Sequence, residues 1–178
     1  MKRLQLTLIA TILAVFAQAQ DIVAAKPAIL EVYLMKTDVT QLVMTSREMS
    51  VTYDGLQMNG TLDLSTLQAD DPVLVNLLDS AQADRITFTG VLPEGKFVFH
   101  DSMNEQFTVE TEVNYGDLES HIVVSFDVSN RRSSIANTFD ISCTGSLSLS
   151  ADLGISRQTG LDDRISFRFS QNLQTKSY

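Results

Sequence analysis

Phe107-Thr108-Val109-Glu110-Thr111-Glu112-Val113-Asn114-Tyr115 is the stretch of sequence that decides the fold of this chain. Large apolar residues and one threonine alternate strictly with polar or charged residues. A period of two is typical of a β-strand that buries one face and exposes the other. The same alternation returns at residues 86–92, 122–128, 139–149 and 165–169. The sequence therefore predicts a mainly β domain.

Turn-forming residues predict two hairpins in the first half of the chain. Asp54-Gly55 follows an alternating stretch at residues 49–53, and residues 58–64 supply the second arm. Pro93-Glu94-Gly95 turns residues 86–92 into Lys96-Phe97-Val98-Phe99. Strands joined by such short turns pair in the antiparallel sense.

The number and length of the strands favour a barrel. Tyr115-Gly116-Asp117 predicts a further turn, and residues 29–35 can form another strand, whereas residues 37–48 show no clear period. The alternation at residues 139–149 is longer than the five or six residues usual for a strand. About eight antiparallel strands, each with one apolar face, predict a sheet curled into an extended β-barrel.

One short helix is predicted among the strands. Asp71 is a suitable N-cap and Pro72 occupies a position that helices tolerate. Apolar residues then recur at helical spacing, at Val73, Leu74, Leu77, Leu78 and Ala81. We expect this helix to cover an end or a face of the sheet.

The N-terminus has the three parts of a secretory signal. Met1-Lys2-Arg3 is basic, residues 4–16 are largely apolar, and Ala17-Gln18-Ala19 has the small residues of a cleavage site. A membrane anchor is the alternative, but this stretch is shorter than the roughly 20 residues that cross a bilayer. We predict a signal peptide at residues 1–19, cleaved near Ala19, and a single domain at residues 20–178 that is periplasmic or secreted, without a transmembrane segment.

The charge and the reactive residues indicate neither nucleic-acid binding nor catalysis. The net charge is −9, and an acidic surface disfavours nucleic acid. His100 and His121 are the only histidines and belong to no catalytic or metal-binding motif. Cys143, the single cysteine, lies within an apolar alternation that predicts a buried, inert thiol. We expect no catalytic residue, no metal and no cofactor.

Two pairs of aspartates have a calcium-binding alternative. Asp70-Asp71 and Asp162-Asp163 cluster the carboxylate oxygens that calcium prefers. Helix capping by Asp71 and turn formation by Asp162-Asp163 explain them better.

The apolar faces of the strands are the candidate ligand site. Inward residues of a barrel of about eight strands either fill its core or line a pocket for one small ligand. The candidate lining residues are Phe88, Phe107, Val109, Ile122, Val124, Phe126, Phe139 and Ile141. Residue patterns leave the choice between a pocket and a filled core open.

Several stretches resemble one known family. Gly60-Thr61-Leu62-Asp63-Leu64-Ser65-Thr66-Leu67, the helix that follows, and Arg85-Ile86-Thr87-Phe88-Thr89-Gly90 resemble the YceI-like family of exported lipid-binding proteins. Asp152-Leu153-Gly154-Ile155 and Ile165-Ser166-Phe167-Arg168-Phe169 resemble the last two strands of that family. The similarity covers roughly residues 49–173. Residues 120–130 depart from the family, because they form a plain alternation where a glycine-rich, basic motif is usual.

The resemblance implies a lipocalin-like barrel with an isoprenoid or other long-chain lipid in an apolar tunnel, without metal or catalytic residues. Our first hypothesis is therefore an exported binding protein whose partner is an apolar, isoprenoid-like lipid. The alternative is a filled barrel that acts through its surface as an interaction or stress-linked structural protein, and an enzyme ranks last. We leave a homodimer open.

Overall fold

The computed structural model describes residues 22–24, 27–53, 56–81, 83–93, 104–132, 137–156 and 160–175. Its ten strands are β1 (Ile22–Ala24), β2 (Ala28–Lys36), β3 (Gln41–Tyr53), β4 (Gln57–Asp63), β5 (Gln68–Ala69), β6 (Arg85–Val91), β7 (Asn104–Tyr115), β8 (Leu118–Arg132), β9 (Asn137–Ser148) and β10 (Leu161–Thr175). A 3-10 helix spans Leu64–Thr66, and one α-helix, α1, spans Pro72–Asp79.

Eight of the described strands form a closed antiparallel barrel. β2, β3, β4, β6, β7, β8, β9 and β10 pair in chain order, and β10 pairs with both β9 and β2. The short β1 continues the edge of β10 beyond β2, and β5 pairs with β3 beside β4. The predicted extended antiparallel β-barrel with one short helix is thereby confirmed.

The alternating rows face the interior of the barrel. In β7, Val109, Thr111, Val113 and Tyr115 are buried, and the residues between them are exposed or half-buried. The inward rows of β8, β9 and β10 include Val124, Phe126, Val128, Phe139, Ile141, Cys143, Leu147, Ile165 and Phe169, all of them buried. The period of two therefore predicted correctly which face of β7, β8, β9 and β10 is inside.

Residues 37–48, which show no clear period in the sequence, supply the start of a long strand. Leu42, Met44 and Ser46 of β3 point inward, but Arg47 and Glu48 are both exposed. The pairing of β2 with β3 shifts at this point, which is the signature of a β-bulge. A buried serine and an extra residue obscure the alternation.

Helix α1 forms where the capping residues predicted it. Asp71 Oδ1 accepts a hydrogen bond of 2.8 Å from the Val73 backbone N–H, and Pro72 opens the helix. Leu74 and Leu77 are buried against the barrel, whereas Val75 points to solvent. The helix therefore buries one face only.

Some sequence predictions lie outside the described residues. They are the signal peptide at residues 1–19, the turn at Asp54-Gly55, Glu94-Gly95 of the turn that begins at Pro93, the arm at Lys96-Phe97-Val98-Phe99, and His100. The described partner of β6 on the side away from β4 is β7, with Phe88 opposite Val113.

Candidate functional site: an apolar cavity in the barrel

The barrel contains an apolar cavity of about 120 Å³. Residues of all eight barrel strands line it, together with the 3-10 helix, α1 and the segment 149–155. The lining residues are Leu30, Val32, Leu34, Met44, Met49, Met58, Leu62, Leu64, Leu67, Leu77, Leu78, Ala81, Ile86, Phe88, Thr111, Val113, Ile122, Val124, Leu147, Leu149, Leu153, Ile155, Ile165, Phe167 and Phe169. The cavity therefore lies in the half of the barrel that α1 covers.

The lining carries no charged side chain among the residues that the structure describes. Thr111 is its single polar residue, and the Thr111 hydroxyl donates a long hydrogen bond of 3.4 Å to the Val109 carbonyl. A charged ligand group inside would lack a counter-charge and would pay a large desolvation penalty. Such a cavity suits a neutral, apolar ligand.

Two connections hold the helical cover of the cavity on the barrel. Lys36 Nζ at the end of β2 donates a hydrogen bond of 3.0 Å to Asp71 Oδ2. The hydrogen bond from Lys36 lowers the pKa of Asp71, with a further contribution from the Val73 N–H. After the helix, the Ala83 N–H donates to the Tyr115 hydroxyl at 3.2 Å. Both ends of the cover are therefore attached.

The segment at residues 149–155 covers another part of the same end. Asp152 accepts hydrogen bonds from the Ser120 hydroxyl and from the Ser148 N–H. Asp163 accepts from the Ser150 N–H at 3.1 Å and from the Ser150 hydroxyl at 2.9 Å. These bonds fold the segment inward, so that Leu153 and Ile155 reach the cavity.

Asp71 has the capping role expected from the sequence, but Asp162 and Asp163 lie within β10, where its pairing with β2 shifts, and not in a turn before the strand. Asp71 caps α1, and Asp162 Oδ1 accepts a hydrogen bond of 3.3 Å from the Arg164 N–H. Across the described ranges, no group of three or more histidine, cysteine or acidic residues could hold a metal ion.

No protein-family model and no curated protein matches the sequence of this chain, but several solved structures resemble it. A polyisoprenoid binding domain from Saccharophagus degradans superposes with a TM-score of 0.70 at 10% identity, covering 88% of this chain and 99% of that one. The Campylobacter jejuni YceI protein gives a TM-score of 0.60 at 14% identity, covering 78% and 88%. This chain has the YceI-like fold. BcnA of Burkholderia cenocepacia shares it, with a TM-score of 0.57 at 12% identity over 80% of this chain and 95% of BcnA.

The eight candidate residues divide between two halves of this YceI-like barrel. Phe88, Ile122 and Val124 line the cavity. The other five pack into the core without bordering it: Phe107, Val109, Phe126, Phe139 and Ile141. Alternation shows which residues face inward, but it carries no information about how far along the barrel axis the interior is empty.

Many lining residues were missed by the sequence prediction. Leu77 and Leu78 belong to the apolar face of the predicted helix, so helical spacing could have suggested them. Met44 follows no clear alternation, and Leu153 and Ile155 lie outside the regular strands. Only the three-dimensional pairing brings these side chains to one cavity.

Two glycines determine where aromatic rings lie in the YceI-like barrel. Gly60 pairs with Phe88 across β4 and β6, and a Cβ at Gly60 would lie 1.7 Å from Phe88 Cζ. Gly145 pairs with Phe167 across β9 and β10, and its Cβ would lie 2.4 Å from Phe167 Cζ. Each ring therefore lies over a glycine that has no side chain to displace it.

Cys143 and His121 lie away from this cavity. Cys143 is fully buried, and burial raises the pKa of its thiol well above the ordinary value. His121 is on the outer surface, with Nε2 at 3.4 Å from Glu119 Oε1. The prediction that Cys143 is buried is confirmed.

No helix within the described ranges is long and apolar enough to cross a membrane.

Proposed function

We propose that this chain is an exported binding protein that holds a neutral, apolar, isoprenoid-like lipid inside its barrel and performs no catalysis. The observation that carries this proposal is the cavity of about 120 Å³, whose lining has one hydroxyl and otherwise only apolar side chains. Burial of a hydrocarbon chain there removes apolar surface from water, at about 25 cal/mol per Å².

The shared fold supports an apolar ligand. One structure with the YceI-like fold is a polyisoprenoid binding domain. At 10% identity this likeness concerns the fold alone. The ligand class proposed for this chain therefore rests on the lining of its own cavity.

A role without catalysis is supported by the positions of the reactive groups. A protonated, buried Cys143 is a poor nucleophile. His121 lies on the outer surface, and its side chain is 70% exposed. Neither contacts the cavity where a ligand would be held.

Binding is tested by filling the cavity from Ala81, which lies just after the end of α1. Ala81→Trp adds a large ring at a lining position, while Val75→Trp adds the same ring on the exposed face of α1. Delipidated protein is titrated with geraniol, a neutral isoprenoid alcohol, and binding is measured by calorimetry. We expect the wild type and Val75→Trp to bind equally and Ala81→Trp to lose at least tenfold in affinity. Equal binding by all three proteins would contradict an internal site.

Export is a separate part of the proposal. The basic, apolar and small-residue segments of residues 1–19 support it. The intact mass of protein recovered from its own host should correspond to a chain that begins at Gln20. A mass that retains residues 1–19 would contradict cleavage near Ala19.

The filled-barrel alternative has a specific observation in its favour. Phe126, Val128, Phe139 and Ile141 pack tightly in the half of the barrel away from α1, with at most 2% exposure each. A protein that acts only through its surface would take up no geraniol and would keep its partners after Ala81→Trp.

Light scattering of the purified protein would test the homodimer that the sequence leaves open.

A further inference from the structure

Two phenylalanines meet across the interior of the barrel. Phe88 lies on β6 and Phe169 on β10, which are four strands apart in either direction around the eight-stranded ring. Their ring centroids are nevertheless only 6.2 Å apart. The two rings therefore span the space between opposite sides of the barrel.

Two further rings extend this contact. Phe169 meets Phe126 edge-on, with centroids 6.5 Å apart and an interplanar angle of 88°. Phe126 stacks on Phe107, with centroids 5.2 Å apart and an angle of 2°. Both arrangements are favourable for aromatic pairs. We call these four residues the aromatic barrier.

The aromatic barrier coincides with one end of the cavity. Phe88 and Phe169 line the cavity, but Phe107 and Phe126 do not. On the far side, Val128, Phe139 and Leu173 occupy the interior and are at most 2% exposed. A ligand that enters the half covered by α1 meets the rings before it reaches the opposite end.

The volume of the cavity, on the α1 side of the aromatic barrier, is small. Pockets for drug-sized ligands measure about 300–1,000 Å³, whereas this cavity measures about 120 Å³. An apolar cavity of about 150 Å³ accommodates a molecule the size of benzene. The available space therefore suits a short chain or one ring.

We propose that Phe169, held between Phe88 and Phe126, limits the length of the ligand, so that the barrel takes a short neutral chain and excludes long polyprenyl chains. This inference rests on the proposed function, because it describes the ligand of the same cavity. Phe169 is the central member of the aromatic barrier, and its side chain both borders the cavity and contacts the filled half.

The test uses 1-hexanol, 1-octanol, 1-decanol, 1-dodecanol and 1-tetradecanol as probes of chain length. Each alcohol competes with the neutral fluorophore N-phenyl-1-naphthylamine for the delipidated protein. Each methylene that is newly buried should tighten binding roughly fourfold. In the wild type we expect this gain to end before 1-dodecanol, so that 1-dodecanol and 1-tetradecanol bind with equal affinity.

Phe169→Leu should move the end of this gain to longer alcohols, and Phe169→Ala should move it further. Phe139→Leu is the matched control, because Phe139 has the same 2% exposure but does not line the cavity. The leucine variants keep the proposal testable where the alanine variant fails to fold.

The possible results separate the two proposals. A wild-type affinity that still rises at 1-tetradecanol, or Phe169 variants with an unchanged end point, would overturn the length limit and leave lipid binding intact. An equal shift in Phe139→Leu would also overturn it. Failure of the wild type to bind any of these alcohols would overturn the proposed function itself.

Discussion

At the scale of single residues, Gly145 influences the shape of the cavity through the ring of Phe167. The Phe167 ring lies across β9 and occupies the space that a side chain at position 145 would need. The ring stays close to the sheet because glycine has no Cβ. The cavity is therefore defined partly by the absence of an atom.

Gly145→Ala should displace the Phe167 ring towards the cavity. An added Cβ would lie 2.4 Å from Phe167 Cζ, and overpacking of this kind typically costs about 1–3 kcal/mol. We expect lower stability in urea denaturation and weaker binding of N-phenyl-1-naphthylamine. Thr144→Ala, at the exposed neighbouring position, should change neither property.

A compensating substitution distinguishes ring displacement from general damage. Phe167→Leu removes the ring atoms that the new methyl group would meet. Combining it with Gly145→Ala should therefore recover part of the lost stability. A double variant that is no more stable than Gly145→Ala would contradict the steric explanation.

At the scale of elements, the cover of the cavity depends on the contact between α1 and β2. The Lys36 ammonium stabilises the Asp71 carboxylate and lowers its pKa below the ordinary value. A carboxyl group whose pKa is lower in the folded state than in the unfolded state stabilises the fold above its unfolded pKa of about 3.9. This contribution is lost as the pH falls through the lower, folded value.

Asp71→Asn should therefore lower the melting temperature at pH 7, and its deficit should shrink as the pH falls below about 4. Asparagine also caps helices, so the substitution mainly removes the charge. Thermal denaturation followed by circular dichroism at several pH values measures the difference. In a Lys36→Gln background most of the deficit should disappear, and a deficit of unchanged size would argue against the ion pair.

The elements also show how far the sequence could predict the fold. Helix α1 and the inward rows of β7, β8, β9 and β10 follow from local patterns, because a cap or a period of two is present within each segment. The start of β3 has a buried Ser46 and a bulge at Arg47 and Glu48, which interrupt that period. The cavity could not be predicted from any segment, because it depends on Phe88 and Phe167 lying over glycines of neighbouring strands.

At the scale of the whole molecule, the interior is filled in one half and partly empty in the other. Tight packing around Phe126 accounts for the part of the core that resembles an ordinary globular protein. The half below α1 holds the cavity. The tightest packing and the proposed binding site therefore lie at different ends of one barrel.

Matched truncations of two phenylalanines should reveal this division. Phe126→Ala, in the filled half, should cost about 3–5 kcal/mol. Phe167→Ala, which removes a half-buried ring at the cavity, should cost only about 1–2 kcal/mol and should change probe binding more strongly. Urea denaturation and fluorescence titration measure the two effects. Equal costs and unchanged binding would indicate that the interior is packed uniformly.

The closure of the barrel by β2 and β10 has a consequence for the order of folding. All other pairings within the eight-stranded ring join barrel strands that are consecutive along the chain, but β2 pairs with β10, the first barrel strand with the last, as in the pairing of Leu34 with Ile165. Contacts between residues so distant along the chain form slowly, because a long loop must close first. During synthesis, β2 gains its second neighbour only after β10, the last of the barrel strands, has been made. Until then, a newly made chain exposes two open strand edges, and these edges are the part of the molecule that a chaperone would have to shield.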